Sequence, residues 1–399
     1  MLSKAISRSS QGSGTSSIWG GEKVNWGNHS SRVPIYLTNG YKYDDLDEML
    51  EVSEGKKFDY IYSRNDNPTV NVLEEKIKIL EGAEDGTSFS TGMAAISNTF
   101  YTILEPGDSI VSIIGTYGGT NKLFREFLPK IKVNVHLCGT TDYECIEKYL
   151  EDRPKLLHIE TPTNPSIKIL DIKRLVNSAH LNGTIVTVDN TFATPINQNP
   201  IQLGADIVIH SASKYICGHA DALGGLIAGR RDLVRKIYHY REENGAALDP
   251  SSAYLILRGM KTLEVRMKRH NENALEVAKF LRELQDVEEV RYPGLSDYPY
   301  YDIARSQMRG FGGMLSFVVK GGLSRAKRFL PRLKFALIEG NLGSVETIAA
   351  IPQVSSHIRF SREELNSIDI PDGLIRYSVG LENTEDLKGD LENALRESR

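Results

Sequence analysis

Three cysteines and two tryptophans are all that 399 residues contain of those types. No apolar run comes near the roughly 20 residues that a membrane-crossing helix needs. Cys138, Cys145 and Cys217 follow no metal-ligand spacing and are too few for a disulfide framework, which fits a reducing cytoplasm. Basic charge is not in excess either. The formal net charge is −4, so neither nucleic acid nor an anionic membrane is expected as a partner. No G-x-G-x-x-G joins the first strand to its helix, which removes the fingerprint of a dinucleotide-dependent oxidoreductase. The first twenty residues hold no acid and only Lys4 and Arg8 as bases; rich in Ser and Gly, they read as a flexible arm rather than a transit peptide.

What remains is ordinary globular composition, 40% hydrophobic and 25% charged, on a chain long enough for more than one domain. From about residue 60, helical and strand patterns alternate. Leu73, Ile77 and Leu80 share a helical face. Short β-branched runs then recur at 109–113, 133–137, 156–159, 184–188 and 207–209, with helical pattern such as 172–180 between some of them. That order predicts an α/β fold with a mostly parallel sheet covered on both faces. Beyond about 255 the pattern turns to long helices, with a strand at 313–319 and a turn at Pro371-Asp372-Gly373, which predicts a small α+β domain.

Ligands of such sheets sit beyond the carboxyl ends of the strands. Just past those ends stand Asp189, then Ser211, Ser213 and Lys214, then Thr163-Asn164-Pro165, with Tyr117 after another strand. Ser90-Thr91-Gly92-Met93 opens a helix whose free N–H groups suit a phosphate. Each has a plain reading: a solvated lysine, a capping aspartate, an ordinary helix cap, a packing tyrosine. One ligand uses them together. Pyridoxal 5′-phosphate needs a lysine for its aldehyde, a carboxylate for its ring nitrogen and donors for its phosphate. A binding protein or idle scaffold would have no use for so complete a set.

The same residues lie in blocks that resemble the pyridoxal-phosphate enzymes of cysteine and methionine metabolism, which include cystathionine γ-lyase, cystathionine γ-synthase, methionine γ-lyase and O-acetylhomoserine sulfhydrylase. The blocks are YSRNDNPT (62–69), STGMAA (90–95), YGGTN (117–121), ETPTNP (160–165), VDNTFATP (188–195), SASKYICGHADALGG (211–225) and RYSVGLENTEDL (376–387). The resemblance implies the fold type I architecture: an N-terminal arm over 1–60 contacting a neighbouring subunit, a cofactor domain over 61–255 and a C-terminal α+β domain over 256–399. It implies Lys214 as Schiff-base lysine and general base, Asp189 as partner of the pyridinium, and Tyr117 as stacking ring and acid/base. Gly92, Met93, Ser211 and Ser213 would hold the phosphate, with Tyr62 and Arg64 reaching the phosphate of a neighbouring subunit's cofactor. Arg376 would clamp the substrate α-carboxylate, and Asn164 would meet the cofactor's 3′-oxygen or the substrate. Asn341 stands in the substrate-facing loop where serine is usual. The active site would then be shared across a dimer, within a homotetramer.

The activity implied is γ-elimination on a sulfur amino acid (cystathionine, methionine or homocysteine), giving 2-oxobutanoate, ammonia and a thiol. The alternative is γ-replacement on an O-acylhomoserine. Gly119 stands where methionine-specialised lyases often carry cysteine, Lys122 where arginine is common, and Gly340 where some cystathionine-handling relatives carry an acid.

Overall fold

The computed structural model describes residues 11–22, 26, 29–355, 358 and 362–399. A seven-stranded sheet forms the centre of the larger half. Its strands are β1 (Asp85–Phe89), β2 (Ser109–Ile113), β3 (Asn134–Cys138), β4 (Leu156–Glu160), β5 (Ile185–Asp189), β6 (Ile207–Ser211) and β7 (Gly225–Gly229). They lie in the order β1-β7-β6-β5-β4-β2-β3. All neighbours are parallel except β7, which runs against both β1 and β6.

Alternation along each strand explains how both faces are covered. Ile207 and Ile209 pack with Phe100 and Ile237 on one face, whereas Val208 packs with Leu73, Ile77 and Ile256 on the other. Each such side chain, fully buried, contributes about 1.5–3 kcal/mol. The helices that supply those residues are Gly92–Ile103 and Arg231–Asn244 on one side, Pro68–Glu81 and Pro250–Met260 on the other.

A second sheet, in the order β10-β11-β12-β9-β8, comprises β8 (Val287–Arg291), β9 (Met314–Val319), β10 (Ala336–Ile338), β11 (Thr347–Ala350) and β12 (Leu374–Ser378). The long helix Leu263–Glu283 joins the halves. Leu263 and Met267 pack into the core of the first sheet, while Ala274, Val277 and Leu281 pack into that of the second. Among the described residues no helix is long and apolar enough to cross a membrane.

Two expectations are corrected. The arm's first ten residues lie outside the described ones, but Ser13–Trp19 forms a helix rather than flexible chain. It is anchored by the buried Lys76, whose ammonium donates to the carbonyls of Ser17 and Ile18 and to Glu22. The cysteines are not all unpaired either. Cys138 ends β3 and Cys145 opens the next helix, and the turn between them folds back until the two are joined by a disulfide, 5.8 Å apart at Cα. Cys217 is buried and free.

Candidate active site

The carboxyl ends of β4, β5 and β6 open into a cavity of about 220 Å³, closed from the far side by Arg376 of the second sheet and by Gly340 and Leu342 of the loop between its strands β10 and β11. The segment from Ala212 to Gly224 leaves β6 and returns as β7, with Ser211 and Gly225 paired at its ends. Lys214 lies on this closed excursion. Its half-buried ammonium donates to Asn341 Oδ1 at 2.6 Å. Burial, then the nearby Arg376 charge, lowers the Lys214 pKa to about 8, with Glu339 opposing.

Asp189 ends β5 and is only 7% exposed; its carboxylate accepts the Thr191 N–H at 3.0 Å. Burial raises its pKa, while hydrogen bonds from Thr191 and the pull of His210 act the other way. Directly beside it in the parallel register stands Glu160, the end of β4. Glu160 accepts the Tyr117 N–H at 2.6 Å and the Asn164 N–H at 3.2 Å. Burial, then repulsion from Asp189, pushes its carboxyl well above the usual range.

The helix Gly92–Ile103 points its N-terminus into the same space. Thr91 Oγ1 caps the Ala94 N–H at 3.0 Å, and the N–H groups of Gly92 and Met93 have no acceptor within the helix. A Cβ on Gly92 would lie 2.7 Å from that of Ser211, so this wall of the cradle is open only because the residue is glycine. Ser213 lines the cavity, and its hydroxyl is exchanged with the Gly224 backbone, accepting that N–H at 3.0 Å.

Arg376 arrives from β12. It is 4% exposed, and it donates to the Asn341 carbonyl at 2.8 Å and to the Gly340 carbonyl and Asn164 Oδ1 at 3.4 Å each. Among the described residues no carboxylate pairs with it, and burial lowers its pKa to about 10.

The structure therefore gathers nine of the expected residues on one cavity: Gly92, Met93, Tyr117, Asn164, Asp189, Ser211, Ser213, Lys214 and Arg376. Asn341 joins them through Lys214. Tyr62 and Arg64 do not line this chain's cavity; both stand exposed on the turn before the helix Pro68–Glu81, with the guanidinium 5.1 Å from the ring centre. Sequence reasoning passed over Glu160, Thr191 and Leu223 as site residues. Glu160 could have been found by asking which strand end neighbours Asp189 in a parallel sheet.

The residues present fit pyridoxal phosphate. A desolvated amine, a buried carboxylate and an open, cationic helix N-terminus share one cavity, and the glycine wall leaves room at the helix end. A profile described as "Cys/Met metabolism PLP-dependent enzyme" matches residues 14–396. The L-methionine gamma-lyase of Fusobacterium nucleatum subsp. nucleatum is 42% identical over 91% of this chain and 93% of its own length. A cystathionine beta-lyase of Lactococcus lactis subsp. cremoris is 39% identical over 96% of this chain and 98% of its own. The crystal structure of cystathionine gamma synthase from Xanthomonas oryzae pv. oryzae in complex with cystathionine superposes with a TM-score of 0.93, at 34% identity, over 98% of this chain and 99% of that one. Fold, cavity and sequence agree: the chain belongs to the pyridoxal-phosphate-dependent enzymes of cysteine and methionine metabolism.

Proposed function

We propose that the protein is a carbon–sulfur lyase that converts a sulfur amino acid to 2-oxobutanoate, ammonia and a thiol by γ-elimination. The observation that carries this is that Arg376, with no carboxylate partner among the described residues, and Lys214, whose pKa is lowered to about 8, face one cavity across from Asp189. When bound, pyridoxal phosphate supplies an electrophilic aldehyde and a protonated ring that stores electrons. Asp189 holds the proton at the ring nitrogen. Arg376 takes the substrate α-carboxylate in its guanidinium fork, which orients the Cα–H bond toward Lys214. With the cofactor bound, the Lys214 amine would accept the α-proton at Nζ; its pKa, lowered to about 8, makes the neutral form this needs easier to reach than in an ordinary lysine. A second proton, from Cβ, would pass to the same amine, and the electrons it leaves behind would break the Cγ–S bond as the Tyr117 hydroxyl hands the departing sulfur a proton. Water completes the balance as the amine is released.

In this reading Tyr62 and Arg64 serve the cavity of a second copy. Their exposure on this chain supports it, as do the exposed apolar side chains of Ile35, Leu37, Leu46, Leu50 and Phe58 on the arm.

Cystathionine, methionine, homocysteine and an O-acylhomoserine, each offered with and without an added thiol, test the proposal. Release of 2-oxobutanoate from a sulfur substrate without thiol is the expected result. Turnover only of the O-acyl substrate, and only with thiol, would establish γ-replacement instead. Pyruvate from cystathionine would establish β-elimination.

A further inference from the structure

Glu160 and Asp189 pose an electrostatic problem. They end adjacent parallel strands in register, and both are nearly fully buried, at 5% and 7% exposed. Neighbouring strands lie about 4.8 Å apart. Two negative charges at roughly 5 Å repel by about 3 kcal/mol even at an effective dielectric constant of 20. Burial of both groups adds to that repulsion, so the pair holds one proton to a higher pH than an ordinary carboxylate would.

The surroundings decide which group keeps it. Asp189 faces the Thr191 N–H and hydroxyl, and His210 on β6, itself bonded to Glu81 at 2.6 Å, pulls on it electrostatically. Lys214 and Arg376 occupy the cavity on the far side, with Arg376 directed to Asn164 and the Gly340–Asn341 backbone. Glu160 accepts two main-chain N–H groups, from Tyr117 and Asn164, which favour its ionised form, but burial and the Asp189 charge outweigh them and no cation offsets either.

We propose that Glu160 is a positioning residue, a neutral carboxylic acid that pins the Tyr117 and Asn164 segments and leaves Asp189 as the one negative charge that would meet the cofactor's ring nitrogen. The inference rests on the reading of Asp189 as the ring-nitrogen partner. It goes beyond that reading because it assigns the pair's proton and gives Glu160 a task. An ionised Glu160 would offer the ring and its phosphate a second, misplaced charge. A neutral one can still accept both N–H groups through its two oxygens, and its single O–H is left for the Asp189 carboxylate beside it.

Infrared spectroscopy of the holoenzyme near neutral pH reads the proton directly, because a neutral carboxyl has a carbonyl stretch separate from that of carboxylates. The band is expected to shift in protein made with carboxyl-labelled glutamate and to stay in place with labelled aspartate. It should vanish in Glu160→Gln, and in Asp189→Asn, which removes the neighbouring charge, it should be lost at lower pH than in the wild type. Glu74, the other buried glutamate with a raised pKa, is ion-paired to Arg241 and contributes no such band. A band that follows the aspartate label, or no band at all, overturns the proposal. The labelling arms use wild-type protein, so they decide the matter even if Glu160→Gln fails to fold. In activity, Glu160→Gln should lose about tenfold or less in kcat/KM, the scale of one weakened hydrogen bond. Glu160→Ala should lose clearly more, with the pH dependence of the bound cofactor's visible absorption unchanged in Glu160→Gln. Failure of the underlying reading looks different: borohydride would then fix no cofactor on Lys214, while the infrared band would still report the Glu160 proton.

Discussion

Two buried clusters of charge treat their cations in opposite ways. Around Arg241, which is 2% exposed, Nη1 donates to Glu74 Oε1 at 2.9 Å and to Thr87 Oγ1 and the Ser88 carbonyl at 3.0 Å, and Nη2 to the Asn65 carbonyl at 2.6 Å. Glu74 in turn accepts the N–H and hydroxyl of Ser88. At the cavity, Lys214 and Arg376 lean, among the described residues, on amide and carbonyl oxygens, and the Arg376 charge makes that of Lys214 more costly to keep. The first cluster is charge already neutralised, holding β1 to the helices around it. The second is positive charge without its counterion, which is what a site for a carboxylate and a phosphate requires before either arrives.

The comparison breaks most visibly at Lys214. Lys214→Ala should lower turnover by at least about a thousandfold and leave no cofactor fixed by borohydride. Without cofactor, its melting temperature should match or exceed that of the wild type, since a desolvated amine has been removed. In the wild type, attachment of pyridoxal phosphate needs the neutral amine. Lys214 binds its proton more weakly than an ordinary lysine, so the attachment rate should climb with pH and level off above about 8, not near the ordinary lysine value. Levelling only well above that would mean the amine is solvated.

Arg376→Lys sharpens the contrast, because it keeps the charge and discards the fork. A loss of about a hundredfold in kcat/KM, carried mainly by KM, is expected in steady-state kinetics. An unchanged KM would remove Arg376 from the substrate. Arg241→Ala should act in the other currency altogether. It strands Glu74 in the interior and should lower stability by about 3–5 kcal/mol in denaturant titrations, while the activity per folded molecule stays within about twofold. A stable but inactive Arg241→Ala protein would erase the distinction between the clusters.

Strands built from β-branched runs were legible in the sequence, and β2, β4 and β5 lie where the runs predict. β1 and β7 were not, since DGTSF and GLIAG carry glycines that argue against strand. The structure gives the reason: a Cβ at Gly225 would lie 2.1 Å from the Thr91 carbonyl, and one at Gly229 2.2 Å from that of Asp206. Close approach outweighs propensity at both. The site was legible because strand ends concentrate it. Glu160 escaped because its importance comes from lateral register, which no local pattern encodes. The Cys138–Cys145 pair escaped because counting cysteines ignores the turn that brings two of them together. Gly119, read from the sequence as a mark of substrate preference, has a steric side as well. A Cβ there would come within 2.7 Å of both Met93 Sδ and the Tyr117 ring, so any larger residue must displace both or move the backbone.

The excursion from β6 to β7 begins and ends on paired strands of the same sheet, whereas Arg376 belongs to the other sheet. In the proposed reading, the amine and the ring's counter-charge are thus surveyed from one rigid datum, and the grip on the substrate's acid end from another. Sliding one half of the molecule against the other would loosen or tighten that grip like a vice jaw, with the workpiece's mounting left true.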